Sequence, residues 1–229
     1  RRPERVITRV STLTEANPAH RLEPEDPAPT TPMTTAPTAS LGAGSRWAEP
    51  FVPYEPPIAG PPSVLARLGP GRRVEPVLVA IREAVSAEGP ISPARLARSV
   101  VRRFGVTRLQ PQRQQEISAA VPPDLVRDAE GFIWPRERDP RTWRGYRTFD
   151  GPARDRPLED VALRELANAL TDLAQGAMGI TPEDLFRATH RSFGGTRLTE
   201  GARARCQDAF RLAVAEDRLD VVAGLVKAR

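Results

Sequence analysis

The chain has 229 residues, 39% of them hydrophobic, with 25 prolines, one cysteine, two histidines and a formal charge of +5. A single thiol excludes an internal disulfide, and Cys206, His20 and His190 are too few for a zinc site. No apolar run reaches the roughly 18–20 residues that cross a bilayer, and no basic-then-apolar leader opens the chain, so a membrane role is not expected and a reducing, cytoplasmic setting is.

Residues 1–62 carry 13 prolines, with 6 basic against 7 acidic side chains, and include the threonine-rich run PAPTTPMTTAPTAS at 27–40. Such a stretch buries too little apolar surface to offset the entropy of ordering, and the composition predicts a disordered Pro/Thr-rich linker. RVITRVSTL, residues 5–13, has the look of a closing strand, so residues 1–14 are read as the end of a preceding domain. Arg1 in place of a methionine points the same way, to a piece of a longer polypeptide. Trp47, Phe51 and Tyr54 are either chance aromatics in the linker or rings that dock on a folded part or a neighbouring domain.

Beyond residue 62 the chain repeats itself. GPISPARLARSVVRRFGVTRL (89–109) aligns with MGITPEDLFRATHRSFGGTRL (178–198) at a constant offset of 89, with 10 identities in the 19 positions from Ile91/Ile180 to Leu109/Leu198. An ungapped match of that length is a duplication. Upstream, Val77, Ala80, Ile81 and Ala84 stand opposite Leu166, Ala169, Leu170 and Leu173, a helical i, i+3, i+4, i+7 stripe in each copy. Ser92-Pro93 and Thr181-Pro182 then start a second helix: the hydroxyl accepts free amides, and proline takes the first helical position. Phe104-Gly105 and Phe193-Gly194 end it, with glycine in a left-handed turn and phenylalanine in the core. A third helix follows, from Pro111 in the first copy and capped by Thr199 in the second. DLVRDAEGFIWP (124–135) and DRLDVVAGLVKAR (217–229) then read as short hairpins turning at Gly131 and Gly224. The expected fold is mainly α with small β-hairpins: two tandem winged-helix-like units, 72–149 and 157–229, after the linker of 1–62.

The blocks EGPISPARLAR, RRFGVTR, GFIWPRERDPRTWRGYR, RPLEDVALRELANAL, ITPEDLFRATHRSFGGTRL and EDRL resemble, in that order, the uncharacterised C-terminal tail domain of large bacterial superfamily-one helicase-like proteins. The resemblance covers about residues 72–220. Those proteins often carry a Vsr-like endonuclease domain, and many are suspected of genome or phage defence. The resemblance therefore implies an accessory domain whose parent moves along DNA, with the parent's other domains as partners; it transfers no catalytic residue.

Nothing in the residues points to an enzyme or a cofactor. A phosphate-cradling GxxxxGK[ST] loop is absent, and a metal-dependent nuclease needs clustered carboxylates with a nearby lysine, whereas the one lysine is Lys227. His190, mid-helix opposite Val101, and Cys206 read as ordinary helix-face residues.

Charge separates the copies. Residues 63–149 hold 16 basic and 9 acidic side chains, a net +7, whereas residues 150–229 hold 12 and 13. A field confined to one unit suits a polyanion, because arginines there release condensed counterions on binding. In a helix–turn–helix the third helix meets the groove, which would present Gln112, Arg113 and Gln115 to base edges or phosphates; a solvated polar face is the other reading. Arg102 and Arg103 close the second helix, where they either contact the ligand or complement its dipole. Arg127, Arg136 and Arg138 on the hairpin could straddle a backbone, while Trp134, Trp143 and Tyr146 suit packing between the units. Arg108 and Arg197 recur in both copies, which favours bonds to turn carbonyls or a carboxylate. The leading expectation is a DNA-binding or substrate-guiding module, duplex or single strand; the alternative is a scaffold bracing the parent's motor and nuclease domains.

Overall fold

The computed structural model describes residues 45–69 and 71–229; the expectations for residues 1–44, including the strand at 5–13, fall outside the described residues. The fold is mainly helical with small β-hairpins. After β1 (Ala48–Pro50) and a 3-10 turn at Pro62–Arg67 come α1 (Glu75–Glu88), α2 (Pro93–Arg103), α3 (Pro111–Ala120), β2 (Val126–Arg127) and β3 (Ile133–Trp134). A short β4 (Tyr146–Thr148) and a 3-10 turn at Leu158–Asp160 lead into α4 (Leu163–Ala177), α5 (Pro182–Ser192), α6 (Glu200–Ala215), β5 (Leu219–Val222) and β6 (Leu225–Ala228).

The same local chemistry shapes both halves. The Ser92 hydroxyl accepts from the Arg95 amide at 3.1 Å and the Thr181 hydroxyl from the Asp184 amide at 3.2 Å, each satisfying a free donor one turn into an 11-residue helix opened by proline. Gly105 at φ +73° and Gly194 at φ +83° follow Phe104 and Phe193, both buried, in the conformation that only glycine adopts without strain. Each half also has a contact with no sequence forewarning. Ile91 bridges Ile133 and Ile180 bridges Val226, adding a one-residue third strand to each hairpin. The hairpin of the second half turns through Ala223 and Gly224, both at positive φ, as a two-residue connection between right-twisted strands requires.

Two cores result. The first gathers Val77, Ile81, Leu96, Val100, Phe104, Ile117 and Ile133; the second gathers Leu166, Leu170, Leu185, Phe193, Cys206 and Val226. Tyr146 belongs to the second core, its hydroxyl donating to Asp172 at 2.8 Å, so the unit boundary expected at 149 falls inside the second half. Trp134 and Trp143 meet edge to face at 5.6 Å and pack with Phe132 and Ala162, at the point where the first hairpin touches the start of α4.

The linker also ends earlier than its composition suggests. β1 pairs in parallel with β4, Ala48 to Tyr146 through Pro50 to Thr148. Phe51 is buried, edge to face with Phe149, and its ring lies 4.0 Å from the Arg156 guanidinium and 5.1 and 5.3 Å from those of Arg95 and Arg147. The Tyr54 amide donates to Glu88 at 2.6 Å. Residues 45–62 thus follow the folded body through two aromatic anchors, Phe51 and Tyr54, whereas Trp47 stays exposed; the proline-rich backbone reaches both anchor points in an extended state.

Candidate nucleic-acid interface

The surface of the first half is best described from α3 outward. Gln112 and Gln115 line a groove of about 720 Å³ together with Arg72, Arg73, Arg82, Leu78 and Val121. Two carboxylates enter the groove, and both are engaged. Glu116 accepts from Arg113 at 2.7 Å and from Gln112 at 3.1 Å, and Asp124 accepts from Arg82 at 3.2 Å with Arg136 at 3.7 Å. Arg72 and Arg73 are exposed and have no ion pair among the described residues. Three arginines thus line the groove with two acids, and both acids also have a guanidinium partner, which leaves Arg72 and Arg73 as an uncompensated positive pair among the described residues.

The anticipated contact residues divide between that groove and the body of the protein. Gln112 and Gln115 are in the groove. Arg113 points away from it: 27% of its side chain is exposed, and it donates to the Leu65 carbonyl and to Glu116, tying the 3-10 turn to α3. Arg103 is likewise drawn in, 3.0 Å from Glu83 and 2.8 Å from the Pro57 carbonyl. Arg102, one residue earlier, is exposed, and its guanidinium has no hydrogen bond or ion pair among the described residues.

The first hairpin is not a free wing. Phe132 and Trp134 are buried, Glu130 pairs with Arg205 of α6 and accepts the Leu163 amide at 2.7 Å, so one face of the hairpin braces the second half. Arg138 turns into this joint, donating to the Gly89 carbonyl at 2.8 Å and lying 5.3 Å from the Trp143 ring. Arg127, exposed, reaches back to the Ser118 carbonyl at 3.0 Å, and the Arg136 side chain is 69% exposed.

Several arginines that contribute to the first half's surplus charge hold the halves together. Arg95, bound to the buried Glu88 of its own half, donates across to the Asp155 carbonyl at 2.6 Å, Arg98 binds Asp160 at 2.5 Å, and Asp160 also accepts from Ser92. Arg147 and Arg156 converge on Glu165, all three out of water. Burial works to raise the Glu165 carboxyl, but the two guanidiniums outweigh it and hold it down at about 2. Burial pulls the Arg156 guanidinium down to about 10, still far above neutral, so the cluster is ionised on both sides. Sequence reasoning missed this cluster. Its only signal is an arginine in the otherwise strand-like run Tyr146-Arg147-Thr148-Phe149. Arg72-Arg73 were missed as well, although a paired arginine after Gly71 and before a helix start was in plain view.

Of the other reactive side chains, Cys206 is buried, which pushes its thiol up to about 12, and burial also lowers His190. Neither is placed as an activated nucleophile or base. Among the described residues, no group of three or more His, Cys, Asp or Glu is positioned to hold a metal, and no helix is long and apolar enough to cross a membrane. No family model, curated protein or solved structure matches the chain.

Proposed function

We propose that this chain is a non-catalytic, DNA-binding accessory module built of two winged-helix-like units, in which the groove along α3 of the first unit receives the phosphate backbone. The observation that carries the reading is the groove itself: Arg72 and Arg73, without an ion pair among the described residues, line it together with Gln112 and Gln115, and its two carboxylates are already engaged. Guanidiniums suit phosphate oxygens because they donate in a planar fork, and glutamine amides suit base edges or sugar hydroxyls. The buried joint between the halves gives that groove a rigid support. The sequence resemblance to the tail of helicase-like proteins supports a parent that works on DNA in the cytoplasm, in genome or phage defence, with this module guiding the substrate.

The test is anisotropy of short labelled duplexes and single strands with the wild-type chain and with R72A/R73A. The double variant is expected to weaken binding without lowering the melting temperature, since both side chains are exposed. Arg113→Ala is the contrasting control: it removes the tie to Leu65 and lowers stability first. Wild-type affinity matched by R72A/R73A would assign the groove no role.

A second reading, a scaffold that braces neighbouring domains, is favoured by one observation. Met178, Val221, Val222 and Leu225 are all exposed in the second half, beside and along the β5–β6 hairpin. A cluster of that kind marks protein contact more often than nucleic-acid contact. Retention of a bound partner domain after V221S/V222S would count against it.

A further inference from the structure

The near-neutral second half carries a basic cavity that the charge count hides. Between α5 and the start of α6 lies a cavity of about 350 Å³ lined by Glu183, Arg187, His190, Arg191, Arg197 and Arg203, with Thr196 beside them. Its internal pairing is uneven. Glu183 binds both Arg203 and Arg187, the latter at 2.8 Å, and Asp184 binds Arg187 at 3.1 Å, so two acids neutralise two arginines. Arg191 and Arg197 are exposed and have neither a hydrogen bond nor an ion pair through their guanidiniums among the described residues. Burial keeps His190 below its ordinary value, so at neutral pH it adds no charge. The cavity therefore holds a local excess of two guanidiniums.

The same pair exists in the first half. Arg191 and Arg197 align with Arg102 and Arg108 at the offset of 89, and these too are exposed without a guanidinium partner among the described residues. Recurrence had favoured a structural role for Arg108 and Arg197, with bonds to turn carbonyls or a carboxylate. Among the described residues neither makes one, so their recurrence is not explained by support of the turn. Elsewhere the arginines of this protein are widely used in ion pairs, as at Arg95, Arg98, Arg103, Arg147, Arg156 and Arg205. Two arginines kept at the same two places in both copies, and left unpaired in both, indicate a ligand that both turns share.

We infer that each helix–turn–helix turn is a phosphate-binding site, Arg102 with Arg108 in the first half and Arg191 with Arg197 in the second, so that the second half also contacts the polynucleotide backbone. Two guanidiniums from the end of one helix and the approach to the next can take different oxygens of one phosphate, and charge-assisted bonds of that kind are the strong ones. The His190 ring that lines the cavity is held from behind by the Gly195 backbone: a Cβ there would sit 2.1 Å from Nε2, so backbone and imidazole are in close contact. The inference rests on the preceding reading for the identity of the polymer, not for the presence of the anion site.

The experiment uses the full chain in two arms. In the first, inorganic phosphate is titrated while the amides of residues 195–198 and 106–109 are followed by NMR, for wild type, R191A/R197A and R102A/R108A. Saturable shifts at each turn, lost only in the variant of that turn, are expected. In the second, the salt dependence of binding to a short duplex is compared. Each double variant should flatten the log–log slope by about 1, for one lost phosphate contact at roughly −0.9. If the wild type binds no polynucleotide but phosphate still titrates both turns, the anion sites stand and the nucleic-acid reading fails. If the wild type binds a duplex and R191A/R197A binds it with the same slope, the second-half site is overturned. Absence of phosphate shifts at both turns overturns the inference as a whole.

Discussion

Arg147 grips Glu165 through two hydrogen bonds, Nε to Oε1 at 3.0 Å and Nη2 to Oε2 at 2.8 Å, while its Nη1 reaches the Glu88 carbonyl at 2.6 Å. One side chain thus ties the end of α1 to the first turn of α4, and Arg156 closes the set from the other side at 2.7 Å. The two halves are joined by charge that water does not reach. Removing one member leaves the others buried and uncompensated, which costs far more than the net worth of the intact set.

Glu165→Gln is therefore expected to destabilise the protein by about 3–5 kcal/mol, as breaking a buried ion pair does. Urea unfolding followed by far-UV circular dichroism measures it. A loss within the range of a surface substitution would mean that the joint is hydrated.

Acid should remove the same contribution. Glu165 stays ionised in the folded protein down to about 2, whereas its ordinary value, which the unfolded chain keeps, is 4.5. Between these values the unfolded state binds the extra proton, so the stabilisation is whole above pH 4.5 and declines as pH falls toward 2. The interval corresponds to roughly 3 kcal/mol. The stability gap between wild type and Glu165→Gln should narrow steadily below pH 4.5. A gap that stays constant across that range would contradict the ionised cluster.

What the sequence disclosed and what it hid divide by range. The caps at Ser92 and Thr181, the left-handed Gly105 and Gly194 and the hairpins turning at Gly131 and Gly224 all follow from neighbours a few residues apart, and all were legible. Ile91 and Ile180 as lone third-strand residues were not, because a single residue has no period. Arg147, Arg156 and Glu165 were hidden for a different reason. A charged side chain reads as solvent-facing until its distant partner is known, so counting charge overstated the cations available to a ligand. The groove was half legible: Gln112 and Gln115 came from the register of α3, whereas Arg72 and Arg73 needed the chain before α1 to fold back beside it.

Phe51→Ala tests the docking of residues 45–62. The ring is buried against Phe149 and three guanidiniums, so its loss should cost roughly 3 kcal/mol locally and release the β1–β4 pairing. Hydrogen exchange at the amides of Tyr146 and Phe51, which donate to the Trp47 and Thr148 carbonyls, should accelerate while amides in the core of α4 stay protected. Unchanged exchange at those two amides would show that the segment is held by something other than the ring.

Gly195→Ala probes the packing behind His190, which lines the cavity of the second half. An added Cβ meets the His190 ring at 2.1 to 2.3 Å, so the substitution is expected to cost about 1–3 kcal/mol, the usual penalty of overpacking. His190→Ala in the same chain should restore much of it by vacating the space, as thermal melts of the single and double variants would report. Additive losses would place the ring elsewhere.

The most direct test of the central claim is the dependence of wild-type affinity for a short duplex on salt concentration. A positively charged groove that takes about 4–6 phosphates predicts a log–log slope of roughly −3 to −6, reduced in R72A/R73A. A slope near zero, or no binding at low salt by a chain that remains folded, would contradict it.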